Sequence, residues 1–206
     1  MADQKQWVNF ITGGPTNEVH NTRDFPVIPI TNDMRISAKT HADERLKYDF
    51  NRFRLDDNRR LSMIASGTIG QIAFKSSLEQ SDIPHEFQMQ AGKYDNYDFE
   101  ITNRIIEVKT SGHSGGGSWK NLNAIYNYSQ LKNAIRKNYF CSVQIFVDGY
   151  GRSSKTFNVG SCKSGIIAGW IEISKIAQTE RISLPFGPAQ LIPLEKLNEI
   201  DALLKQ

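Results

Sequence analysis

The spacing of apolar residues predicts one long helix most clearly, from about Asp57 to Gln80. Six apolar residues recur there at helical intervals: Leu61, Ile64, Ile69, Ile72, Ala73 and Leu78. Gly67 and Gly70 interrupt the pattern, so the alternative is a helix that begins again near Ser66. The Ser-Asp-Ile-Pro sequence after Gln80 ends the helix.

Alternating apolar and polar residues after this helix predict three short strands, at 85–90, 96–101 and 104–110. Thr102 and Asn103 separate the last two strands and are typical of a tight hairpin turn. Such a turn pairs residue 101 with 104, 100 with 105 and 99 with 106. Continued by one step, this register places Asp98 opposite Glu107.

The rest of the pattern predicts a helix at 122–138, strands at 141–149 and 165–174, and a last helix at about 193–204. Residues 1–56 carry no strong period and are interpreted as an irregular N-terminal arm with one short strand near 27–30. The order of elements over 57–206 predicts an α/β sandwich, with a mixed central sheet flanked by helices.

Composition agrees with one globular domain. The chain has 206 residues, of which 39% are hydrophobic and 23% charged, as in an ordinary globular protein. The absence of a long apolar run and of a signal-like N-terminus predicts a protein without membrane association. Only two cysteines, Cys141 and Cys162, are present. Their number excludes a disulfide framework and favours a cytoplasmic protein with reduced thiols.

The charge distribution permits contact with nucleic acid. The net charge is +3, and residues 45–60 hold six basic residues interleaved with aromatic ones. Such a stretch can follow a phosphate backbone, which makes Arg52 and Arg54 candidate contacts. The alternative is an ordinary amphipathic segment with a solvated charged face.

Three polar residues interrupt the two hairpin strands where a core would call for apolar ones: Asp98, Glu107 and Lys109. Glu107 and Lys109 project to the same side of their strand because side chains alternate. Two carboxylates held opposite each other repel, and a divalent cation between them turns the repulsion into coordination. A bound Mg²⁺ with an adjacent lysine suits phosphodiester hydrolysis. The alternative is a surface hairpin with solvated charges.

The segment YDFEITNRIIEVKTSG resembles the signature of the PD-(D/E)xK nuclease superfamily, in which an acid on one strand precedes (D/E)-x-K on the next. The resemblance implies a restriction-endonuclease-like fold and a Mg²⁺ ion, replaceable by Mn²⁺, on Asp98 and Glu107. It also implies that Lys109 serves the attacking water. Many members carry a further acid on the first helix, and this chain departs from them by having Gln71 there.

Further residues near these strands are weaker candidates. His113 and Lys120, in and beside a glycine-serine loop, and Gln130, on the next helix, are candidate nucleic-acid contacts, and Asp95 is a second candidate for the first metal-binding acid. The loop is equally interpretable as a flexible linker, and Gln130 as part of a surface helix.

Three functions remain open from sequence. The favoured one is a Mg²⁺-dependent DNA endonuclease of restriction, resolvase or phage and mobile-element type, acting as a homodimer because duplex cleavage needs two sites. The second is a nucleic-acid-binding module that keeps the fold without the chemistry. The third is an unrelated α/β protein.

Overall fold

The computed structural model describes residues 25–48, 55–89, 97–112, 123–150, 156–184 and 187–205. The helices are α1 Asn32–Leu46, α2 Asp57–Gln80, α3 Tyr128–Arg136, α4 Ile173–Ile176 and α5 Ile200–Leu204. The strands are β1 Val27–Pro29, β2 Glu86–Phe87, β3 Phe99–Ile101, β4 Arg104–Gly112, β5 Asn123–Asn127, β6 Cys141–Val147, β7 Ser164–Glu172, β8 Glu180–Leu184 and β9 Gly187–Pro193. Short 3₁₀ turns occupy Val159–Ser161 and Leu194–Lys196.

The strands form two sheets. A six-stranded mixed sheet has the order β1-β7-β6-β4-β3-β2, in which β4 and β6 are parallel and the other neighbours are antiparallel. A three-stranded antiparallel sheet has the order β5-β9-β8. The parallel pair requires a long crossover, and β5 and α3 lie within it.

Helix α2 forms as its sequence predicts and is continuous through both glycines. Asp56 caps its start, since the carboxylate accepts a hydrogen bond of 3.0 Å from the amide of Arg59. Gly70 lets the helix approach β4 closely: a Cβ built there would lie 2.0 Å from Oγ1 of Thr110 and 2.9 Å from its Cβ. The glycine therefore sets the distance between helix and sheet.

The six-stranded sheet is covered on both faces. One face packs on α1 and α2 through buried residues that include Ala38, Ile69, Phe74, Val108 and Ile145. The other face packs on the three-stranded sheet and on α3 through a second buried set that includes Tyr126, Leu131, Phe146, Ile166 and Ile192. The protein is thus a layered α/β structure, as expected in coarse outline.

Several elements differ from the sequence expectation. Residues 32–46, expected to be irregular, form α1, which buries Ala38, His41 and Ala42. The expected helix at 122–138 is a strand followed by a shorter helix, because Asn127 caps α3 by accepting a hydrogen bond from the amide of Ser129. The expected last helix is only α5, after a 3₁₀ turn. Among the described helices, none has an apolar stretch long enough to cross a membrane.

Both cysteine thiols are free and fully buried. Burial raises the pKa of Cys141 and of Cys162 far above its ordinary value, so both stay protonated at pH 8. The thiolate is the reactive species. We therefore expect no reaction of the native protein with a thiol-specific chromogenic disulfide at pH 8, and two equivalents of reaction after unfolding in guanidinium chloride. Rapid reaction of either thiol in the native protein would contradict this expectation.

Candidate functional site

The β3–β4 hairpin has the register that the sequence predicts. Ile101 pairs with Arg104, Glu100 with Ile105 and Phe99 with Ile106. Thr102 and Asn103 have φ angles of 48° and 60°, which is the left-handed pair that a two-residue type I′ turn requires. The hairpin packs against α2, because the ring centroid of the buried Phe99 lies 5.0 Å from that of Phe74 on this helix.

Asp98 lies one residue before β3, so it does not form the expected ladder pair with Glu107. Its side chain explains why the strand begins later: Oδ2 accepts a hydrogen bond of 2.7 Å from the amide of Val108. An extended antiparallel ladder would pair Val108 with Tyr97. The carboxylate therefore lies against the backbone of β4 between the two residues, Glu107 and Lys109, with which it was expected to act.

Gln71 also reaches Asp98, from α2. Its Nε2 donates a hydrogen bond of 2.8 Å to Oδ1 of Asp98. The residue that departs from the nuclease pattern is therefore in contact with the first predicted acid. Its role in this geometry is to orient that carboxylate, since an amide adds no charge.

Glu107 and Lys109 form an ion pair on β4, in which Nζ of Lys109 donates to Oε1 of Glu107. The two side chains are only 16% and 18% exposed, so water screens the pair poorly. Oε2 of Glu107 is buried and has no hydrogen-bond partner among the described residues. An unpartnered buried carboxylate oxygen is costly unless something binds it.

Two residues not predicted from the sequence complete the surroundings of Lys109. Nζ of Lys109 lies 4.8 Å from the ring centroid of Tyr126, a residue on β5 that is 1% exposed. Gln144 is the cross-strand neighbour of Lys109 on β6 and is 3% exposed. Its Nε2 donates to Oγ of Ser111 and to the carbonyl of Ile145. A lone glutamine in the apolar sequence CSVQIFV is the signal that marks Gln144 in the sequence.

The donor set suits a hard divalent cation. Asp98 and Glu107 supply two carboxylates, and Mg²⁺ in proteins commonly takes one or two and keeps several waters. Oε2 of Glu107 lacks a hydrogen-bond partner among the described residues, and Asp98 accepts hydrogen bonds from Gln71 and Val108. No cluster of three or more His, Cys, Asp and Glu side chains occurs in the part of the chain that the structure describes.

The remaining predicted residues are either exposed outside the hairpin or outside the described residues. Gln130 is exposed on α3, four residues beyond Tyr126. Five candidates lie outside the described residues: Arg52, Arg54, Asp95, His113 and Lys120.

Asp98, Glu107 and Lys109 are thus held within one hairpin, between α2 on one side and β5 on the other. No family model, curated protein or solved structure matches this chain.

Proposed function

We propose that this protein is a Mg²⁺-dependent endonuclease that hydrolyses phosphodiester bonds in DNA. One observation carries the proposal: Asp98 is hydrogen-bonded to the backbone between Glu107 and Lys109, and the Glu107 carboxylate retains a buried oxygen without a partner among the described residues. Two acids and a poorly screened lysine at one place are the groups that phosphodiester hydrolysis uses.

The order of elements supports a restriction-endonuclease-like fold of the PD-(D/E)xK type. The resemblance implies a helix, a mixed sheet whose strands carry the acids, and a second helix. The corresponding elements are α2, the hairpin β3–β4, α3 and then β6, which is parallel to β4. Glu107 and Lys109 lie within β4, which agrees with the motif, whereas Asp98 lies one residue before β3 and not on the strand itself.

Each side chain has a role in this proposal. Asp98 and Glu107 would hold Mg²⁺, or Mn²⁺ in its place, and the bound ion would supply an activated water and stabilise charge on the phosphate. Gln71 keeps the Asp98 carboxylate oriented through its amide. Lys109 orients the attacking water and offsets the negative charge that develops on the phosphate oxygens. Action as a homodimer is part of the proposal, because two copies are needed to cut both strands symmetrically.

Cleavage of supercoiled plasmid and of a branched four-way junction, each with Mg²⁺, Mn²⁺ or EDTA, tests the proposal. We expect cutting with either metal and none with EDTA, and Lys109→Ala should be slower by about 10²-fold to 10³-fold, the usual loss for one charge-stabilising donor. The preferred substrate separates a restriction-type enzyme from a resolvase.

Lys175→Ala is the matched control, since Lys175 pairs with Glu172 in an ion pair outside the hairpin and contacts none of its three candidate side chains. It should cleave at the wild-type rate. A folded wild-type protein that cuts neither substrate, and whose melting temperature Mg²⁺ leaves unchanged, would overturn the proposal.

A DNA-binding module without catalysis is the second candidate function. The neutral Gln71 favours it, because its amide already engages one oxygen of Asp98 and adds no charge for a cation. Tight DNA binding by a wild-type protein that cuts no substrate with either metal would select this candidate.

A further inference from the structure

A cluster of two cations on one aromatic ring lies next to the candidate site. Cζ of Arg181, on β8, is 3.9 Å from the ring centroid of Tyr128, and Nζ of Lys132, on α3, is 4.8 Å from the same centroid. Both cationic residues are exposed. We call these three residues the Tyr128 cluster.

The Tyr128 cluster holds two like charges on one ring, and no acid among the described residues forms an ion pair with either of them. Helix α3 contains no aspartate or glutamate. Attraction to the ring contributes only about 0.5–1 kcal/mol for an exposed cation. Two cations on one ring attract an anion to this part of the surface.

The position of the cluster relates it to Lys109. Tyr126, whose ring contacts Lys109, precedes Tyr128 by two residues, and Asn127 between them has an extended backbone. Side chains two residues apart in extended chain point to the same side, at a separation of about 7 Å. Phosphates of one DNA strand rise by about 3.4 Å per nucleotide. The distance from the Tyr126 ring, which contacts Lys109, to the Tyr128 ring therefore corresponds to a small number of nucleotides.

We propose that Lys132 and Arg181 bind one backbone phosphate of a nucleic acid, a short distance along the strand from the phosphate at Lys109. The presence of a phosphate at Lys109 rests on the proposed function. The subsite at Lys132 and Arg181 lies outside the hairpin. The guanidinium of Arg181 gives paired hydrogen bonds to phosphate oxygens and Lys132 gives a point charge. Contact with the backbone is independent of base sequence.

Fluorescence anisotropy of a labelled 30-base-pair DNA duplex tests the subsite, in EDTA so that no cleavage occurs. The variant Lys132→Ala with Arg181→Ala should bind about tenfold more weakly at 100 mM KCl. The slope of log affinity against log salt should become less steep by about 0.9, the value for one lost phosphate contact. Lys132→Arg with Arg181→Lys, which keeps both charges, should retain the wild-type slope.

The matched control is Lys75→Ala with Lys175→Ala. It removes the same number of positive charges from two exposed lysines that each have a carboxylate partner, Glu79 and Glu172. Equal weakening in the control and in the cluster variant would overturn the subsite, as would an unchanged salt slope in the cluster variant. Wild-type binding that the cluster variant loses, with no cleavage under any metal, would support the subsite and reject the endonuclease.

Discussion

Replacing both acids, Asp98→Asn with Glu107→Gln, should slow metal-dependent DNA cleavage by about 10⁴-fold. A bound cation stabilises the transition state by several kcal/mol, and each 1.36 kcal/mol corresponds to a factor of ten in rate. The two carboxylates are the ligands that this proposal assigns to the cation. Oε2 of Glu107, buried and unpartnered among the described residues, is the atom whose loss should matter most.

Metal binding can be measured separately from cleavage in the same variant. A ligand that binds only the folded state raises the melting temperature, so Mg²⁺ should stabilise the wild type and leave the double variant unchanged. This measurement also shows whether the variant is folded.

The control for the double acid variant is Glu172→Gln with Asp201→Asn. It makes the same change of net charge at two carboxylates paired with surface lysines, Lys175 and Lys205. It should keep both the cleavage rate and the Mg²⁺-induced shift in melting temperature. Cleavage by the Asp98 and Glu107 double variant at the wild-type rate would refute the assignment of these residues as metal ligands.

Substituting Gly70 by valine should lower the free energy of unfolding by about 3 kcal/mol, at the upper end of the cost of overpacking a core. The new Cβ would meet the Thr110 side chain at distances that rotation of that side chain cannot relieve, because the Cβ of Thr110 itself is only 2.9 Å away. Helix α2 must then move away from β4. Urea unfolding monitored by circular dichroism measures the change.

Gly67, one turn earlier in the same helix, is the matched control. A Cβ built there meets nothing within 4 Å. Gly67→Ala should therefore stabilise the protein by about 0.5–1 kcal/mol, the difference in helix propensity between the two residues. If both glycine substitutions changed the free energy of unfolding by the same amount, the close approach to Thr110 would not explain why Gly70 is needed. Adding Thr110→Gly to Gly70→Val should recover part of the loss.

The site depends on the same close approach. Gln71 follows Gly70 and donates to Asp98 across the gap between α2 and the hairpin. A wider gap in Gly70→Val should lengthen or break that hydrogen bond. The variant is therefore expected to lose Mg²⁺ affinity as well as stability, while Gly67→Ala should lose neither.

The sequence predicted α2 and the hairpin well because their signals are local. The apolar spacing and the Thr102-Asn103 turn lie within the elements they determine. Glu107 and Lys109 lie on β4 and Asp98 directly precedes β3, so these candidate residues were found together with the hairpin. Helix α1 was missed because the face it buries consists of Ala38, His41 and Ala42, which give little apolar contrast.

The second sheet was missed because its pairing is remote in sequence. Residues 123–127 have apolar spacing that fits the start of a helix, and their strand partner is β9, more than sixty positions later. Tyr126 was missed with them. The position of the Asp98 carboxylate could not be predicted from strand register alone. The amide of Val108 donates its hydrogen bond to the side chain of Asp98 and not to a backbone carbonyl.

The pairing of β5 with β9 also affects the timing of synthesis. Among the described strands, β5 pairs only with β9, whose residues 187–193 come more than sixty positions later. The hairpin with Asp98, Glu107 and Lys109 leaves the ribosome long before them, but the strand that carries the Tyr126 ring against Lys109 cannot be completed until they emerge. The contact between the Tyr126 ring and Lys109 should therefore form only after residues 187–193 have left the ribosome.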